Sequence, residues 1–210
     1  MAFTKNVFVN CPFDEDFYPL LRPLLFTIIY LRLKPRIALE TSDSGEPRLA
    51  KIVKLIADSK YAIHDLSRME ARKVGELYRL NMPFELGVDF GCRHFGSYSQ
   101  KGKKCLVLEK EPYRYKAALS DLSGSDIACH HDKPEQIVVE VRNWLKNTCR
   151  LKAPGAAKIW GAFMDFMDRN NRDLSGDGWS PADIAALPVQ ELIERMEASV
   201  KKTRLHPLAS

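Results

Sequence analysis

Two carboxylates and their spacing carry the chemistry that this chain offers. Glu85 lies in Met82-Pro83-Phe84-Glu85-Leu86-Gly87 and Asp65 ends the apolar run Tyr61-Ala62-Ile63-His64-Asp65. The run reads as a buried strand, and the hexapeptide as the start of a helix, with Pro83 at the first helical position and Gly87 open to close approach. Strand ends and following helix starts share one crevice in an open α/β sheet, so Asp65 and Glu85 are expected to face the same space. A glutamate in a partly dry crevice can attack an anomeric carbon or stabilise an oxocarbenium-like centre. Its plainer role is to complement the helix dipole.

The neighbours have paired readings too. Asp65 would hold ribose hydroxyls or cap its own turn through Ser67 or Arg68. Arg68 would reach a phosphate or form a surface ion pair, and His64, on the other side of the strand, reads as a packed, hydrogen-bonded histidine. At the first strand end, Asn10 and the backbone from Cys11 to Asp14, with Phe13, sit where a phosphate or base would rest on a helix start. Cys11 reads as a small buried residue rather than a nucleophile. Asp121 and Asp126 flank a Ser-Gly turn that would close the crevice or be turn chemistry alone.

The elements that position these residues follow from hydrophobic periodicity. Val7-Phe8-Val9-Asn10, Pro35 to Leu39, Tyr61 to Asp65, Lys104 to Glu109 and Ile127 to Cys129 read as strands. Helical patterns lie between them: Phe17 to Leu31, Leu49 to Ile56, Phe84 to about His94, and Pro134 to Lys146. Residues 67 to 81, rich in arginine, read as a loop or loose helix. The alternation predicts an α/β domain over residues 1–150, with a five-stranded, mainly parallel sheet covered by helices on both faces. Residues 151–210 add a helical appendage, Ala157 to Asp168 and Pro181 to Lys202. Trp160, Phe163, Phe166 and Met167 there would pack on the core or bind a protein partner.

Composition excludes several classes. The 210 residues carry a net charge of +5 with 45% hydrophobic content, typical of a globular protein. Lysines and arginines are interleaved with 27 acids, so the charge favours anionic ligands without the basic stripe of a nucleic-acid binder. Five cysteines without a Cys-x-x-Cys pair or zinc spacing read as reduced cytoplasmic thiols, and no metal is implied. No signal peptide or membrane-length apolar span is read. No glycine-rich phosphate loop is present, which argues against a dehydrogenase or ATPase. Asp173 to Gly178 matches half of a calcium loop, but Ile184 stands where a bidentate glutamate is needed.

With the first strand turn, His64-Asp65-Leu66-Ser67 and Phe84-Glu85-Leu86-Gly87 in place, residues 6 to 147 resemble the superfamily joining TIR domains and nucleoside 2-deoxyribosyltransferases. Val7-Phe8-Val9-Asn10 is similar to the TIR opening strand. Glu85-Leu86-Gly87 is similar to the catalytic helix of the deoxyribosyltransferases, although Met82-Pro83-Phe84 stands where Gly-Thr often precedes their glutamate. The resemblance implies a flavodoxin-like fold, self-association, Glu85 as catalytic carboxylate, and N-glycosidic cleavage of NAD or a related nucleotide as substrate, with no recycled cofactor. Bacterial domains of this kind often serve as antiphage effectors or makers of nucleotide signals. Deoxyribosyl transfer between bases, or nucleotide sensing without catalysis, are the alternatives.

Overall fold

The computed structural model describes residues 3–40, 43–69 and 80–205. The expected loop or loose helix before Asn81 lies largely outside the described residues. Five strands form one parallel sheet: β1 (Asn6–Asn10), β2 (Lys34–Arg36), β3 (Tyr61–Asp65), β4 (Lys104–Glu109) and β5 (Ile127–Cys129), in the order β2-β1-β3-β4-β5. This is a flavodoxin-like order, and its topological switch point lies between β1 and β3. β1 and β3 are buried at all five positions. Burial on both faces explains why they read as near-continuous apolar runs rather than alternating ones.

Alternation along the strands still sorts the two faces. Val7, Val9, Ile63, Leu106 and Leu108 pack with α1 (Tyr18–Tyr30) and α5 (Pro134–Asn147). Phe8 and Ala62 pack with Ile52, Leu55 and Ile56 of α2 (Arg48–Ala57), against which Val88 and Cys92 of α3 (Asn81–Phe95) also rest. A short helix, α4 (Tyr98–Lys101), follows α3 and is opened by a capping box between Ser97 and Gln100.

β2 stops at Arg36, short of the expected Leu39, because a side chain takes over from the ladder. The Glu40 carboxylate accepts from Ile37 N–H at 3.0 Å and Arg36 Nε at 2.7 Å, turning the chain there. α3 begins two residues before Pro83. The first intrahelical bond runs from Phe84 N–H to Leu80 O at 3.1 Å, so Pro83 sits where no donor is needed, as its third residue. Gly87 is not a point of close approach among the described residues, since a Cβ there would meet nothing of them within 4 Å.

Beyond residue 150, α6 (Ala156–Gly176), α7 (Pro181–Ala185) and α8 (Val189–Leu205) follow. α6 outruns its expected end at Asp168 because its buried stripe continues through Asn170 and Leu174. The half calcium loop is therefore mostly helix, ending in a turn at Gly178 with φ +86°. The helix expected over Pro181 to Lys202 is broken before Val189 by Pro188, which has no N–H to continue it. Phe163 and Phe166 pack on the core, their rings 5.6 and 5.7 Å from that of Phe26 in α1. Trp160 and Met167 line a groove of about 690 Å³ beside Tyr18. Among the described residues no helix is long and apolar enough to cross a membrane.

Phe26 is 2% exposed and joins the sheet cover to α6. Phe26→Ala is expected to lower unfolding free energy by about 3–5 kcal/mol in urea denaturation. Gly87→Ala, on an exposed helical position with free space, is expected to raise it by about 0.5–1 kcal/mol.

Candidate active site

β1 and β3 hand the chain to opposite faces, so the crevice at their carboxyl ends is bounded by the turn at Cys11 to Asp14 and by the start of α3. Asn10 closes β1 and is 1% exposed. Its Nδ2 donates to Met82 O at 2.9 Å and faces His64 Nδ1 at 3.0 Å. The Met82 carbonyl requires a donor, which fixes the amide's orientation and makes His64 Nδ1 an acceptor. The His64 proton is thereby left on Nε2, 3.3 Å from Asp89 Oδ2. Lys103 Nζ lies 3.0 Å from Asp89 Oδ1 and donates to Ile56 O at 2.7 Å and to Ser59 O. Asn10 thus holds α3 rather than resting free against a ligand. His64 is the packed, hydrogen-bonded histidine expected.

Glu85 precedes Asp89 by one helical turn on the same face of α3, one residue beyond the first turn where it was expected. It is 6% exposed. Burial raises its carboxyl from 4.5 to about 7, with the Arg48 guanidinium at the start of α2 acting in the opposite direction. Asp89 shows the reverse. Burial alone would raise it, but the His64 hydrogen bond and the Lys103 charge outweigh that and hold it below the ordinary range.

The structure brings Cys11, Asp65 and Glu85 together. Burial pushes the Cys11 thiol well up, and the charges of Asp65, Glu85 and Asp14 push it further. It is a buried thiol without thiolate character. Asp65 is fully buried, and its Oδ1 accepts from Ser67 N–H at 2.9 Å and Ser67 Oγ at 2.5 Å. Its Oδ2 lies 3.1 Å from His130 Nε2. The turn cap, one of two readings of Asp65, is what these bonds show. His130 Nδ1 accepts from Asp132 N–H at 3.0 Å, across a turn in which His131 and Asp132 both take positive φ.

Arg68 Nη1 lies 3.6 Å from Asp132 Oδ2, so it is an ion-paired side chain beside the crevice. Phe13 is half-buried against the main core. Asp121 and Asp126 are exposed, Asp121 on a 3-10 turn over Ser120–Leu122. Five residues of the site escaped the sequence reading. Arg48 opens an ordinary helical pattern, Lys103 lay in an unremarkable basic stretch, and His130 follows β5 as Asp65 ends β3. Asp89 had a signal, its four-residue spacing from Glu85, and so did Glu109, the last residue of β4.

His64, Asp89 and Cys105 offer ligand atoms within 4.8 Å of one another. They do not fit a metal as arranged. The His64 Nε2 proton points toward Asp89, the Lys103 ammonium takes the other carboxylate oxygen, and burial pushes the Cys105 thiol far up. No protein-family model matches the chain, and no curated protein or solved structure is significantly similar to it.

Two outcomes follow. Lys103→Met leaves Asp89 buried without its cation and is expected to destabilise the fold by about 3–5 kcal/mol in denaturant titration. For Glu85 the folded-state value is the raised one, so its protonated form favours folding. That contribution is complete below about pH 4 and is lost as pH rises through about 7. Glu85→Gln is therefore expected to stabilise the protein by about 1–3 kcal/mol near pH 8, allowing for screening at the crevice mouth, and hardly at all near pH 4. Thermal melts at both pH values read this directly.

Proposed function

We propose that the protein cleaves the N-glycosidic bond of NAD or a related nucleotide, with Glu85 as the catalytic carboxylate. The observation that carries this reading is a nearly buried glutamate at the switch point of a flavodoxin-like sheet, its carboxyl raised to about 7. Perturbed carboxylates in crevices of this kind are the expected site of chemistry. The resemblance of Glu85-Leu86-Gly87 to the deoxyribosyltransferase helix supports the same assignment.

In the proposed reaction the bond between ribose C1′ and the pyridinium nitrogen breaks, and its electron pair leaves with nicotinamide as a neutral base. No acid is needed to expel it. Ionised Glu85 stabilises the cationic ribosyl centre or captures it at C1′, and water then adds there, releasing a proton and ADP-ribose. Arg48 favours the ionised form of Glu85, and the Asn10 and Asp89 anchors hold α3 so that the carboxylate keeps its position. Asp65, taken up by Ser67 and His130, orients the strand end instead of touching the sugar. Self-association and a role as a bacterial immune effector or maker of a nucleotide signal belong to the same reading.

The test is product analysis of the wild-type protein and Glu85→Gln with NAD, at high protein concentration, beside a deoxynucleoside mixture. Nicotinamide release abolished by Glu85→Gln is the expected result, with a rate that rises through about pH 7 as the carboxylate ionises. Arg48→Met, an exposed change, should move that midpoint upward. Base exchange in the deoxynucleoside mixture would transfer the assignment to deoxyribosyl transfer. Absence of turnover in monomeric and assembled fractions alike would leave a nucleotide-binding domain.

A further inference from the structure

Glu109 ends β4 on the side of the sheet that α3 covers, as does Val107 two residues earlier. It is fully buried, and among the described residues one carboxylate oxygen is engaged while the other is not. Oε1 accepts from Lys110 N–H and from Arg114 Nη2, both at 2.6 Å. The same guanidinium donates to Ser67 O at 2.5 Å, which joins Glu109 to the turn capped by Asp65. Oε2 is buried and has no hydrogen-bond partner among the described residues. A carboxylate oxygen in that condition is costly, and native structures seldom leave one without a donor.

Glu109 also lines a cavity of about 350 Å³, near the lower end of the ~300–1,000 Å³ range of small-molecule sites. Among the described residues its walls are mostly apolar, from Met69, Leu80, Pro83, Ala118 and Leu119, with Glu109 and Arg114 as the charged groups. Glu109 follows Leu108, which pairs with Asp65 in the β3–β4 ladder, so the cavity lies at the carboxyl end of the sheet, next to the strand end that Asp65 closes. Apolar walls suit a flat ring, and an acceptor held rigid by two donors selects a ring bearing an N–H.

We infer that this cavity is the subsite for a planar heteroaromatic base carrying an NH2 group, which donates a hydrogen bond to Glu109 Oε2. The inference rests on the N-glycosidic reading for its ligand class, the base being the group that leaves from the sugar at Glu85. Nicotinamide, through its carboxamide, and adenine, through its exocyclic amine, share this chemistry.

Direct binding separates the subsite from the reaction. Nicotinamide and adenine are titrated into the full chain by calorimetry or saturation-transfer NMR, beside their N,N-dimethyl analogues, which lack the donor. At least one NH2-bearing base is expected to bind, with its dimethyl analogue weaker by about tenfold or more, the worth of a hydrogen bond to a charged group. Glu109→Gln should weaken binding similarly. Ala118→Phe, which fills the cavity from an exposed position and spares the Glu109–Arg114 pair, should abolish it, and Glu85→Gln should leave it intact. Failure of both bases to bind at millimolar concentration, equal binding of the dimethyl analogues, or binding that survives Ala118→Phe would overturn the inference. Turnover that depends on Glu85 without base binding would remove the subsite and keep the N-glycosidase. Base binding through Glu109 without turnover would keep the subsite and remove the N-glycosidase.

Discussion

The ion pair between Lys103 and Asp89 is the constraint on which the arrangement of this protein depends. Each group is almost wholly buried, and neither could remain charged there alone. Around the pair, His64 and Asn10 extend a polar chain to Met82, and Lys103 itself reaches the carbonyls at Ile56 and Ser59. The ends of α2, β1 and β3, the entry to β4 and two turns of α3 thus meet in one network. α3 cannot slide or rotate on the sheet without leaving a buried charge unpaired, which fixes the register of every side chain on its inner face.

Glu85 benefits from that anchoring. A carboxylate in a poorly solvated crevice pushes outward on its helix, and a helix held only by apolar contacts would yield to it. Here the next turn is fastened. The result is a pair of carboxylates one turn apart on one helix, with values pushed in opposite directions. Asp89 is stabilised as an anion by a cation and a histidine, whereas Glu85 has burial against it and, among the described residues, the outlying Arg48 in its favour. Environment rather than residue type separates their roles, the pattern by which protein sites divide structural and chemical carboxylates.

Much of this architecture was legible in the sequence because it is local. The span Lys104–Glu109 and the start of α5 at Pro134 both emerged from local hydrophobic patterning. The errors fall where a distant or lateral group decides. Nothing in the periodicity of Pro35 to Leu39 reveals that Glu40 will fold back and end the ladder, and a stripe of apolar residues over Pro181 to Lys202 conceals the missing donor at Pro188. In the site, Glu85 was legible from its motif, but Lys103 was not, since a lysine in Lys101-Gly102-Lys103-Lys104 carries no mark of burial. Only the meeting of three segments makes it a core residue.

α1 is an early element with a late cover. One side of this helix lies on β1 and β3, while the other receives Phe163 and Phe166 of α6 and the buried residues of α8. Those helices lie over a hundred residues further along the chain. During synthesis, which proceeds from the amino end at ~5–20 residues per second, the sheet and its first helix can assemble well before that cover exists. For several seconds the nascent domain would present Phe26 and its neighbours as an open apolar surface. The ribosome-bound intermediate is therefore the form of this protein most in need of a chaperone.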